Sequence, residues 1–156
     1  MSITHVTFSG TSYEQGLSHG EALRNSIEKN VEVYLNRFEV EAGIGKKELL
    51  NNTGRYLAIL REQSPEYING IKGISESSNM DILEIAMLNL RYELLYHALG
   101  KRYQEEAIDG CTSFAVLPEV FQNNHLIMGQ NWDWIPDVDC VLIMSRDVDG
   151  LQRLSF

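Results

Sequence analysis

A cysteine and a carboxylate, set in two short motifs, are the residues of this sequence best suited to chemistry. Cys111 stands in Asp109-Gly110-Cys111-Thr112-Ser113, where a charged, aperiodic connector from Lys101 to Gly110 gives way to a segment of alternating hydrophobicity. Nineteen residues after Gly110, Gly129-Gln130-Asn131-Trp132-Asp133-Trp134 closes the next alternating segment. Taken alone, a cysteine entering a strand is usually a small buried hydrophobe. Cutting the Gly110–Cys111 bond would change that, because the cysteine would become a chain start whose α-amine, with an ordinary pKa of about 8, lies close to a thiol's at about 8.5. Nucleophile and base would then share one residue, which removes the need for a histidine partner. Gly110 suits such a cut: it has no Cβ to crowd an approaching sulfur and tolerates strained backbone angles.

The remaining polar candidates have plainer readings. Cys140 lies in the apolar run Cys140-Val-Leu-Ile-Met144 and is expected in the core. Two cysteines are too few for a disulfide framework and fit no paired zinc spacing. His19, His97 and His125 show no recognised ligand spacing with them, so no metal is expected. Trp132 and Trp134 either wall an acyl pocket or simply pack at a strand end. Arg91 and Glu93, two apart on a helix, cannot face each other and read as structural ion-pair members on separate faces. No glycine-rich phosphate loop is present.

These residues need elements to hold them. Thr4 to Phe8 alternates as a short strand, and Thr11-Ser12-Tyr13-Glu14 has the spacing of a helix capping box. Tyr13, Leu17, Leu23, Ile27, Val31, Tyr34 and Phe38, with Gly20 in the gap, form one helical face and predict a single long helix to about Glu41. A second helix is expected over Lys46–Gln63, and Pro65 opens a third carrying Ile68, Ile71 and Ile74. Asp81 and Glu84 cap a fourth that runs to Gly100. From Cys111 on the period is two, with strands at Cys111–Leu117, His125–Gln130, Asp139–Arg146 and Leu151–Phe156 and a hairpin signal at Asp149-Gly150. An antiparallel meander follows. The chain divides into a helical segment, 1–110, and the start of a nucleophile-bearing sheet, 111–156, within one domain. The last strand is still running at Phe156, so the sheet is expected to be incomplete.

Composition narrows the partners. With 156 residues, 44% hydrophobic and 9% aromatic, the chain is globular. Thirteen basic against 22 acidic residues leave a net charge of −9, the wrong sign for phosphate neutralisation, so neither nucleic acid nor an anionic membrane is an expected partner. No apolar run approaches the roughly 20 residues of a membrane span, and MSITHVTFSG lacks the form of a signal peptide, so a cytoplasmic location is expected.

The pair Gly110-Cys111-Thr112-Ser113 and Gly129-Gln-Asn-Trp-Asp-Trp134 resembles the penicillin acyltransferase family of N-terminal-nucleophile hydrolases. Gly10-Thr-Ser-Tyr-Glu-Gln-Gly16-Leu-Ser-His19-Gly20-Glu21 resembles that family's opening segment, and Leu88-Asn-Leu-Arg-Tyr-Glu93 the segment before its processing site. Acid ceramidase-type relatives have arginine where this chain has Gln130. The resemblance implies an α+β fold of two stacked antiparallel sheets between helical layers (αββα), here partial. It implies that Cys111 attacks the Gly110 carbonyl, divides the chain into 110 and 46 residues, and then acylates itself from an amide or thioester substrate. Asp133 is carried over as the carboxylate orienting the nucleophile's amine, and Ser113 as a hydroxyl assisting processing. Asn131, Trp132 and Trp134, in the same motif, are candidates for processing or substrate binding. No cofactor is implied, with acyl-coenzyme A a candidate substrate. The family's oxyanion-hole side chain and substrate-binding arginine fall beyond residue 156.

Two further readings stand beside this one. The chain could be a non-catalytic module that associates through its open sheet, with a second copy or a missing C-terminal part, or Cys111 could be a reactive-thiol sensor, which requires a depressed thiol pKa.

Overall fold

Thr11 starts the first helix through a reciprocal cap. Its hydroxyl accepts from the Glu14 N–H at 3.3 Å, and its own N–H donates to Glu14 Oε2 at 2.8 Å. The computed structural model describes residues 4–100, 111–120 and 124–155. Over these it is a mixed α+β chain, with strand β1 (Thr4–Ser9) followed by helices α1 (Ser12–Ala22), α2 (Arg24–Ala42), α3 (Lys46–Gln63), α4 (Pro65–Ser78), α5 (Ile82–Asn89) and α6 (Arg91–Leu99). Strands β2 (Thr112–Val116), β3 (Ile127–Asn131), β4 (Val141–Arg146) and β5 (Gln152–Ser155) complete it. Among the described residues no helix is long and apolar enough to cross a membrane.

Two expected helices are each broken once. The first turns at Leu23, whose backbone (φ −117°, ψ 19°) leaves the helical region while its N–H still reaches His19 O at 3.0 Å. The last turns at Leu90 (φ −100°, ψ 12°). Tertiary packing explains both breaks. α1 packs on α4, whereas α2 packs on α5 and α6; likewise α5 packs on α3 and α4, and α6 on α2 and α3. A straight rod could not serve both sets of partners. The buried stripe Ile27, Val31, Tyr34 and Phe38 on α2 keeps the predicted helical spacing. Inside the core, Thr53 satisfies its hydroxyl by donating to Leu49 O at 3.0 Å.

The strands depart from a simple meander. β4 and β5 are antiparallel, but β4 also pairs in parallel with β1, from Thr4↔Val141 to Ser9↔Arg146, giving the order β1-β4-β5. Val6 and Ile143 face each other in this register, and both pack on the helical core with Val141. Asn30 of α2 fixes where β4 begins: its amide accepts from Asp139 N at 2.8 Å and donates to Asp139 O at 3.1 Å. Lys29 pairs with the Asp139 carboxylate, and that hydrogen bond holds its pKa below the ordinary value. Gly150, in the left-handed region at φ +84°, closes the β4–β5 turn. β1 to α6, β4 and β5 form one unit; β2 and β3, paired antiparallel in a separate two-stranded sheet, belong to another.

α1 and α4 meet backbone to backbone. Gly16 and Gly20 of α1 are buried against α4, and Gly73 of α4 is buried against α1. A Cβ at Gly73 would lie 2.8 Å from Leu17 N and closer still to Tyr13 O. On α1, His19 stacks on Phe8, with ring centroids 5.6 Å apart and an 18° angle between planes. Burial pushes its imidazole pKa below the ordinary value. The unfolded chain therefore takes up this proton first as pH falls, so the contribution of a neutral His19 is complete above about pH 6.5 and is lost on acidification below it. Urea unfolding of the wild type should lose more stability between about pH 7 and about pH 5.5 than unfolding of His19→Gln. Parallel pH profiles for the two proteins would contradict this assignment.

Candidate active site

The hairpin of β2 and β3 is built by local pattern. β-Branched Thr112, Val116 and Ile127 favour extended backbone, and Phe114 sits opposite Gly129. A Cβ at 129 would lie 2.5 Å from two Phe114 ring atoms, so the ring occupies the space that a side chain there would need. The ladder runs Thr112↔Asn131, Ser113↔Gln130, Phe114↔Gly129, Ala115↔Met128 and Val116↔Ile127. A 3-10 turn at Pro118–Val120 follows β2.

This register brings the two chemical motifs to one end of the hairpin. Cys111 immediately precedes β2, whose first residue pairs with Asn131, the last residue of β3, and Trp132, Asp133 and Trp134 follow directly. Cys111 is a free, exposed cysteine. Asp133, Ser113 and Asn131 are exposed, and Trp132 and Trp134 are partly buried. A thiol and a carboxylate on flanking segments at one strand end can serve a nucleophile whose amine is oriented by an acid. Gly110, the other side of the expected cleavage bond, lies outside the described residues.

Elsewhere the polar candidates resolve differently. Cys140 is exposed and not in the core. It precedes the first residue of β4 and directly follows Asp139, so the apolar run becomes a strand only from Val141. Arg91 is structural, donating to Leu88 O at 2.9 Å with its guanidinium 4.8 Å from the centre of the Tyr92 ring. His97 and His125 are exposed, and among the described residues no three His, Cys, Asp or Glu side chains converge as metal ligands. Sequence reasoning did not find a cleft beside His19 on the helical unit, lined by residues of α1, α4 and the β1-β4-β5 sheet. A sequence signal for part of that region was the segment Gly10 to Glu21, which carries Ser12, Gln15, Gly16 and His19 of the lining.

No family model matches the chain. A curated protein of Emericella nidulans, the 40 kDa form of acyl-coenzyme A:6-aminopenicillanic-acid-acyltransferase, is 30% identical over 131 residues, which make up 83% of this chain and 34% of that protein. The chain thus spans about a third of the length of the curated relative it matches. The two share a distant, acyltransferase-like relationship.

Proposed function

We propose that the chain carries the nucleophile segment of a self-processing cysteine acyltransferase or amidohydrolase of the N-terminal-nucleophile fold. The observation that supports this most is the hairpin end where Cys111 meets the segment Asn131 to Trp134. The likeness to an acyltransferase over most of the chain supports the same reading. In maturation the Cys111 sulfur attacks the Gly110 carbonyl carbon; the C–S bond forms, the C–N bond breaks, and the thiol proton ends on the released α-amine. Water then hydrolyses the thioester, leaving a Gly110 carboxylate and a free Cys111 thiol beside its own amine. That amine takes the thiol proton when the sulfur attacks the carbonyl of an amide or of an acyl thioester such as acyl-coenzyme A; the new C–S bond forms as the substrate's own C–N or C–S bond breaks, and the proton passes from the α-ammonium to the departing amine or thiol. The resulting acyl-enzyme is resolved by water or by an amine.

Asp133 orients the amine in this scheme. A carboxylate beside an amine also favours the ammonium form, so its useful contribution is geometric. Asp133→Asn keeps the shape and is expected to slow acylation of the processed protein by a model acyl thioester about a hundredfold, read as the rate at which the Cys111 fragment gains the acyl mass. An unchanged rate would remove Asp133 from the site. A second reading, association through uncovered apolar surface, is favoured by the exposure of Phe114, Leu117, Val120, Leu126 and Met128 in the hairpin unit. Light scattering distinguishes the two, because association predicts a mass above that of one chain in the Cys111→Ala variant as well.

A further inference from the structure

A cleft of about 300 Å3 opens between α1, α4 and the β1-β4-β5 sheet, a size at the lower end of small-molecule sites. Its apolar side is made by Phe8, Ile71, Ile74 and Ile143, of which Phe8 and Ile71 are buried. His19 also lines it, stacked on Phe8, and its lowered pKa leaves a neutral imidazole facing the space at neutral pH. Two charged side chains line the cleft, and they are not equivalent. Arg153 donates to Asp147 Oδ2 at 2.9 Å, so its charge is already answered within the β4–β5 hairpin. Glu66 is exposed and has no ion-pair partner among the described residues. It stands in the first turn of α4, where negative charge is favoured, next to Tyr67, an aromatic residue that also lines the cleft.

A carboxylate with no ion-pair partner among the described residues, a tyrosine ring and an apolar floor together suit a cation with a hydrocarbon body. A cation gains from both the carboxylate and the ring face. A carboxylate ligand would meet Glu66 and find Arg153 engaged. We propose that this cleft binds a small primary amine, its ammonium held by Glu66 and Tyr67 and its hydrocarbon lying on Phe8, Ile71, Ile74 and Ile143. The proposal is independent of any chemistry at Cys111.

Titration of the chain with n-hexylammonium chloride, followed by NMR of the backbone amides and the His19 ring, tests it. Saturable shifts confined to the cleft-lining residues are expected, weakened about tenfold in Glu66→Gln, with no saturable shift from sodium hexanoate. Because Glu66 is exposed, the variant should keep the wild-type amide pattern elsewhere; Tyr67→Leu, expected to weaken binding about threefold, provides a second reading. Absence of saturation with hexylammonium, equal binding of hexanoate, or wild-type affinity in both variants would overturn the proposal.

Discussion

Replacing Cys111 by alanine should abolish both self-cleavage and acyl-enzyme formation, with turnover of any amide or thioester substrate falling by about 10^4-fold or more. The effect is large because one atom serves both steps: the sulfur that attacks Gly110 in maturation is the sulfur that later holds the acyl group. Stability should hardly change, since Cys111 is exposed and precedes the first residue of β2. Cys111→Ser separates the roles further. A hydroxyl is a poorer nucleophile than a thiol, so the serine variant should process slowly and acylate more slowly still. Equal acylation of wild type and Cys111→Ala, read by mass on the 46-residue fragment or on the whole chain, would remove Cys111 from the chemistry.

Gly73→Val should cost about 3 kcal/mol or more, with a fall in Tm of about 10 °C. The added group has no side chain to push aside. It would meet the backbone of Tyr13 and Leu17, so α1 and α4 would have to separate along their shared contact. Gly54 provides the internal comparison. It too lies inside a helix, α3, yet a Cβ there would find only Leu83 Cδ2 at 3.8 Å, an ordinary contact. Gly54→Ala should therefore be neutral or stabilise by up to about 1 kcal/mol through helix propensity. Thermal unfolding of both variants decides the point: similar midpoints would mean that the α1–α4 contact is not close-packed.

Features with a local cause were legible in the sequence. The Thr11–Glu14 cap, the bounds of α3, Pro65 at the start of α4 and the presence of strands β2 and β3 each depend on residues within a few positions of one another. The breaks at Leu23 and Leu90 were not legible, because the apolar stripe runs on through both and only the placement of α4, α5 and α6 requires the turns. Parallel pairing of β1 with β4 joins segments far apart in the chain, and alternation within a strand carries no information about its neighbour. Cys140 was misplaced for a related reason. The apolar run around it looks continuous, but the grip of Asn30 on Asp139 sets the strand's start just beyond it. At the candidate site, the motifs singled out Cys111 and Asp133 as candidates, and what the hairpin register adds is that the two motifs lie at one strand end.

The intact mass of the purified chain, with the new N-terminus sequenced, tests the central claim most directly. Two fragments of 110 and 46 residues, the second beginning at Cys111, are the predicted result. A single uncut species of 17.8 kDa would contradict self-processing at this bond.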